Sequence, residues 1–413
     1  MKQAWWFAAF AAFGFSAQAE DFSFDINDYQ RSPWEINGHL QLSAQHNQLN
    51  ADNALADLSP YQQDYWRSQG EVELGGLYRW QSWSVHGLAK AQAHQDEAVS
   101  DSEARFYEAY AHYQPNTQWQ FQFGKRSLRW GKGYAFNPVA VLERAKDALD
   151  PDLAREGYVL AAADWVKTLP SGESMSMMAV LLPVSDDLNQ EFGEAEQNNV
   201  AIKLGWVSGA SDMDVIWRSD GSRPPALGVD FSRSLTVNWA LHGEALWTEG
   251  EKILVSENGQ VEQTDWQGVN LLLGTRYLTE QETTWIIEYY HQASGYKASQ
   301  METLFAWVQN ASLAQLKSTL QNSAYLLPQA MQNYASIRVS QKEPFNWLYW
   351  NVGLTWMANL DDGSGIWIPE LIYSGYRNWE FRTRLIAFVG DEGTEYGERQ
   401  NQQRFEARVR YFF

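Results

Sequence analysis

The chain has 413 residues, 51 of them acidic and 31 basic, for a formal net charge of −20, and it has no cysteine. An acidic balance with no basic run excludes a nucleic-acid-binding surface, and the missing cysteine excludes a disulfide scaffold, a thiolate nucleophile and a cysteine-ligated metal. The 21 Trp, 20 Tyr and 19 Phe, in a chain that is 20% charged, are more than a water-soluble core usually holds and suit a surface that meets lipid, where aromatic girdles mark both interfaces.

The first residues, "MKQAWWFAAFAAFGFSAQAE", combine a positive start at Lys2, an apolar run from Ala4 to Phe15 and the small-x-small site Ala17-Gln18-Ala19. This predicts a secretory signal over 1–19, cleaved before Glu20, since the run is too short to span a bilayer. Residues 20–33 are then a short periplasmic segment, too short to plug a barrel. No later stretch approaches the ~20 apolar residues of a membrane helix, which leaves 34–413 for a fold that crosses with strands.

Eighteen segments of alternating hydrophobicity follow, at 34–46, 67–79, 81–93, 103–114, 117–127, 157–168, 173–182, 197–208, 211–219, 225–234, 235–247, 266–277, 282–292, 333–341, 347–358, 364–376, 377–388 and 403–413. In "NVAIKLGWVS", Val200, Ile202, Leu204 and Trp206 share one face, as do Leu348, Trp350, Val352, Leu354 and Trp356 in "WLYWNVGLTWM", because successive strand residues point to opposite sides. The fold class is all-β: a transmembrane antiparallel β-barrel of about eighteen strands, with sixteen as the alternative. Pro369 interrupts the sixteenth segment, where a bulge or a boundary error is expected because proline cannot donate to a ladder.

The connections support this reading. Every second one is short: Trp80, 115–116, 170–172, 209–210, near Ser234, 279–281, 342–346 and Tyr376. The alternate set holds every long insertion, at 47–66, 128–156, 183–196, 248–265, 293–332 and 389–402. Short periplasmic turns with long extracellular loops are the asymmetry of an outer-membrane barrel.

The final stretch, "RFEARVRYFF", places Phe405, Ala407, Val409, Tyr411 and Phe413 on one face and Arg404, Glu406, Arg408 and Arg410 on the other. It resembles the C-terminal recognition signal of bacterial outer-membrane proteins. The resemblance implies delivery to the barrel assembly machinery through the Phe413 strand and residence in the outer membrane of a Gram-negative bacterium, among its lipid and lipopolysaccharide.

A barrel of sixteen to eighteen strands generally leaves a water-filled interior. On the inward faces the alternation places Arg126, Lys203, Arg218, Arg276, Arg338, Arg382, Arg384, Arg404, Arg408 and Arg410, against Asp214, Glu244, Glu288, Glu380 and Glu406. These basic residues are the expected pore lining, and Arg382 and Arg384 beside Arg404 and Arg408 need interleaving by Glu380 and Glu406, or an anionic substrate, to limit their repulsion. The third outer loop opens with Gly131 and Gly133, carries Asn137-Pro138 and Asp150-Pro151 as turn signals around a helical run from Val139 to Leu149, and is rich in mixed charge. It resembles the inward-folded constriction loop of porins, with Arg129, Lys132, Glu143, Arg144, Lys146, Asp147 and Arg155 as its expected contributors. A second helix is expected from Ser299 to Ala324, where Leu304, Val308, Leu316 and Leu320 recur at helical spacing.

The seven histidines are scattered over separate strands, and no G-x-S-x-G, H-E-x-x-H or phosphate-cradling motif is present. No catalytic residue, metal or cofactor is expected. The whole pattern looks like a porin-like channel, most similar in strand count, short N-terminus and basic lumen to the alginate-export type, which carries acidic polysaccharide outward. The expected function is passage of anionic or amphiphilic solutes, within an export system if that similarity extends to function. The alternative is a capsule-lectin-like barrel that holds surface polysaccharide without transport.

Overall fold

The computed structural model describes residues 32–413 apart from 55, 57, 58, 148, 152, 257, 258, 321–324 and 326; the signal segment 1–19 and residues 20–31 lie outside the described residues. Eighteen strands follow in chain order: β1 (Trp34–Leu49), β2 (Tyr65–Trp80), β3 (Trp83–Gln95), β4 (Ser100–Tyr113), β5 (Trp119–Arg126), β6 (Tyr158–Thr168), β7 (Ser174–Pro183), β8 (Asn198–Ser208), β9 (Ser211–Arg218), β10 (Ala226–Thr236), β11 (Trp239–Val255), β12 (Val261–Leu278), β13 (Thr283–His291), β14 (Asn333–Lys342), β15 (Trp350–Asn359), β16 (Gly365–Tyr373), β17 (Trp379–Val389) and β18 (Asn401–Phe412). Each pairs antiparallel with the next, and β1 pairs with β18 as well as β2, so the sheet closes without an edge. A closed barrel satisfies every ladder group internally, as hydrocarbon demands.

Closure is tight where the ends of the sheet meet. The Phe413 amide donates to the Gly38 carbonyl and the Gly38 amide to the Phe413 carbonyl, both at 3.1 Å. A Cβ on Gly38 would lie 2.3 Å from the Glu73 carbonyl oxygen and 2.8 Å from the Phe413 ring, so only glycine lets the two neighbouring strands approach this closely. The alternation of β18 divides lipid from lumen: Phe405 is 45% exposed on the outer face, and Glu406 is 1% exposed on the inner.

All eighteen expected segments are strands. The expected outer loop at 248–265 is instead largely an extended hairpin, with β11 and β12 paired from Thr248↔Gly268 to Val255↔Val261. Glu249, Glu251, Lys252 and Glu262 make this stretch polar, because strands that rise above the membrane have no lipid face to signal them. Pro369 sits within β16 opposite Leu354, and the β16–β17 ladder lapses at residues 368 and 369 before resuming in the same register at Glu370↔Arg384. The missing N–H breaks the ladder locally without a bulge.

The interior is not the open water-filled cylinder that strand number alone implies. Two apolar clusters occupy its extracellular half. In one, Leu160, Leu182, Ile216 and Leu246 of the inner wall pack against Leu128, Trp130, Val139 and Leu142 of the third outer loop. In the other, Leu272, Tyr334, Ile368 and Ile386 pack against the outer connection between β13 and β14, residues 292–332. The single helix expected over Ser299–Ala324 is two helices, α1 (Ala298–Val308) and α2 (Leu313–Leu320), and residues 321–324 lie outside the described residues. The helical run expected over Val139–Leu149 is a series of turns among its described residues.

Replacing Gly38 with Ala is expected to cost ~1–3 kcal/mol through forced displacement of packed neighbours, read as a lower temperature for loss of the compact electrophoretic form. Gly76→Ala, where a Cβ meets nothing within 4 Å, is expected to leave that temperature unchanged.

Candidate pore and its inserted loop

Inward-facing carboxylates on β11 and β13 hold the third outer loop, residues 127–157, inside the barrel. The amides of Lys132 and Gly133 donate to Glu244 Oε1 at 2.5 and 2.6 Å, and the Val139 amide donates to Oε2 at 3.2 Å. The amides of Tyr134 and Ala135 donate to the two oxygens of Glu288 at 2.6 and 2.7 Å, and His242 Nε2 lies 2.8 Å from the same group. Gly131 makes the entry turn possible: its φ is +90°, and a Cβ there would meet Asn137 Oδ1 at 1.9 Å and Glu244 Oε1 at 2.7 Å.

Side chains extend the attachment. Lys132 Nζ contacts Asp212 at 2.6 Å and Asp214 at 3.0 Å on β9. Burial lowers the Lys132 pKa, but Asp212, Asp214 and Asp230 outweigh it and hold the group above the ordinary lysine value. Glu143 accepts the Trp130 amide at 2.5 Å and pairs with Arg155 at 2.7 Å within the loop; burial lifts its carboxyl to about 7 against their pull. Lys146 bonds the carbonyls of Gly133 and Tyr134, and burial lowers its pKa. Arg144 pairs with Glu191 of the connection between β7 and β8 and with Glu156, and Asp147 caps its own turn at the Leu149 amide, 2.9 Å away.

On the opposite wall the loop supplies an anion to the arginines. Asp150 Oδ2 lies 3.1 Å from Arg382, 3.4 Å from Arg384 and 3.3 Å from Arg408. Burial pushes the Asp150 carboxyl up, but the three guanidiniums prevail and hold it below the usual carboxylate range. Glu406 pairs with Arg384 at 3.2 Å and Arg408 at 2.9 Å, and Glu370 pairs with Arg382. The interleaving acids are therefore Glu406, Glu370 and Asp150.

The other basic residues are distributed around the wall. Arg126 lies over the Tyr110 ring, 5.3 Å from its centroid, and lines a cavity with Arg129, Lys203 and Trp130 beside the base of the loop. Lys203 also reaches Asp214 at 3.2 Å. Arg338 lines a second cavity beyond the loop, with Glu288, Glu370, Arg382 and Asp150. Arg218 is consumed structurally, donating to the carbonyls of Val141 at 2.9 Å and Pro224 at 2.6 Å. Arg404 bonds Asn47 at 3.0 Å, Arg410 bonds Gln41 at 3.0 Å, and Arg276 stands exposed on β12 near its periplasmic end. Sequence reasoning missed Asp150 as a counter-ion, reading it only as a turn residue, and read Glu244 and Glu288 as wall charge rather than as the seat of a loop.

Residues 74–173 match the family model described as phosphate-selective porin O and P. No match is found among curated proteins. Among solved structures, the chain is similar to OccAB1 of Acinetobacter baumannii, at 8% identity over 92% of this chain and 96% of that one, with a TM-score of 0.56. It is also similar to OccK5 (OpdH) of Pseudomonas aeruginosa, at 9% identity over 92% and 98% of the two chains, with a TM-score of 0.51. At such identities the likeness is one of fold. With its closed eighteen-strand sheet and apolar outward belt, the chain has the fold of a porin-like outer-membrane β-barrel.

Proposed function

We propose that this barrel is a channel for anionic or amphiphilic solutes, narrowed by the loop at 127–157 and lined by the basic residues of the wall. The observation that carries the reading is the loop itself, held across the lumen with basic residues on both sides: Arg126, Arg129 and Lys203 beside one cavity, Arg338 and Arg382 beside the other. Selectivity is set where a path is narrowest, so local charge outweighs the acidic total. Outward passage of an acidic polymer, as the similarity to alginate-export channels implies, is its most specific form. The polysaccharide-binding alternative is the weaker reading, because Trp130 and Trp307, the tryptophans of the outer connections, are buried rather than offered for stacking on sugar. Delivery through the Phe413 strand to the assembly machinery belongs to the same proposal.

Single-channel recording of the refolded barrel under a salt gradient tests it. Discrete openings with a reversal potential of anion-selective sign are expected, and the combined substitutions Arg126→Gln, Arg129→Gln and Lys203→Gln are expected to lower the anion-to-cation permeability ratio several-fold. A cation-selective or persistently silent barrel would defeat the reading.

Asp150→Asn is expected to release the loop from β17 and β18, since removing one member of a buried ion cluster costs ~3–5 kcal/mol; the readout is larger or noisier unitary conductance. Acid should do the same to the unsubstituted protein. The folded pKa of Asp150 lies below its unfolded value of ~3.9, so its contribution is present above that pH and is lost as pH falls through the lower folded value. Conductance that stays constant on acidification would show that Asp150 does not restrain the loop.

A further inference from the structure

Among the periplasmic connections, one stands apart. Those at 81–82, 114–118, 169–173, 209–210, 237–238, 279–282 and 374–378 are short links, whereas 343–349, between β14 and β15, is longer and irregular. Four of its residues other than glycine adopt left-handed backbone, with φ of 46° at Glu343, 55° at Phe345, 61° at Asn346 and 68° at Tyr349. Such conformations persist only where the surroundings enforce them. What they achieve is display: Phe345 is 87% exposed, Leu348 61%, Trp347 58% and Tyr349 55%.

The backbone turns inward while these side chains turn outward. The Glu343 amide donates to the Trp350 carbonyl at 2.7 Å, Asn346 to Glu343 at 3.1 Å, Trp347 to Pro344 at 3.0 Å and Trp350 to Trp347 at 3.3 Å. The Tyr349 amide donates to the Glu343 carboxylate at 3.0 Å, and the Tyr349 carbonyl accepts from Ser374 at 3.0 Å. Pro344 has no N–H to satisfy. A turn that satisfies most of its amides within itself and shows four large apolar or aromatic side chains is fitted to a medium poor in hydrogen-bond partners.

We propose that the turn 343–349 is a wedge inserted into the phospholipid leaflet on the periplasmic side of the outer membrane. An outward row of aromatic side chains begins directly after it, at the start of β15. Trp350 lies 4.8 Å from Tyr373, Tyr373 lies 5.8 Å from Tyr376, and Tyr376 lies 6.2 Å from Phe381. Trp350, Tyr373, Tyr376 and Phe381 also line an outward-facing groove with Leu371. Tryptophan and tyrosine sit favourably at the headgroup level, and Lys342 and Arg377, both exposed at the flanks, suit the phosphates there. The wedge fixes the depth of this side of the barrel in the membrane.

The absence of cysteine from the chain makes the test direct. Phe345→Cys carries a nitroxide label in phosphatidylethanolamine and phosphatidylglycerol vesicles, and its collision rates with oxygen and with a water-soluble nickel chelate are compared by electron paramagnetic resonance. Labels at Leu354→Cys, on the lipid face, and Ala210→Cys, in a short turn, set the two extremes. An oxygen-to-nickel ratio several-fold above that at 210 is the expected result. A ratio equal to that at 210 would overturn the proposal and leave the surface free in the periplasm for a protein partner. Leu348→Cys repeats the measurement should Phe345→Cys fail to refold to the compact electrophoretic form.

Discussion

The arrangement of the lumen depends on two buried carboxylates that accept backbone amides. Glu244 and Glu288 face inward and are buried beside Asp230 and His242, and an unpaired carboxylate there would carry a heavy desolvation cost. The third outer loop has the complementary problem, because a turn-rich segment packed inside a barrel has amides that no ladder satisfies. Five amides on two carboxylates resolve both at once, with charge-assisted bonds stronger than neutral ones. Once the loop is seated, Asp150 meets the arginines of β17 and β18, and the cavities on either side of the loop acquire their linings.

That seating reorganises the electrostatics of a chain whose total charge misleads. Arg382, Arg384 and Arg408 are largely neutralised by Glu406, Glu370 and the loop's own Asp150. Arg126 and Arg129, on the other side, have fewer acids close by. On the proposed reading, the positive charge a solute would meet beside the base of the loop is that of Arg126 and Arg129, with Glu108 and Asp164 in the same cavity. Arg218, by contrast, is tied to two carbonyls and serves packing.

Much of the fold was legible because lipid imposes strict alternation. Leu271, Leu273 and Tyr277 on β12 had to face outward, and their neighbours inward, whatever the loops do. Legibility stopped where that constraint stopped. Above the membrane, β11 and β12 continue through Glu249 and Glu251 with no apolar face, and the stretch read as loop. Inside the barrel, the partners of Glu244 are amides more than one hundred positions away in sequence, and a backbone amide leaves no mark on residue identity. The basic residues could be placed on the inner face one strand at a time, but which of them gather around one acid depends on where the loop lies. Asp150 followed by Pro151 reads locally as a turn, which it is; its second role exists only in three dimensions.

The loop's two attachments differ in when they can arise. The seat on Glu244 and Glu288 needs only β11 and β13, while the contact between Asp150 and Arg408 spans 258 positions and awaits the last strand. A contact of such separation can form only once β18 stands beside β17. The growing sheet can thus curl around a loop that already occupies its seat, so that the closing strand meets a filled interior and the order of assembly is written into which wall each end of the loop grips.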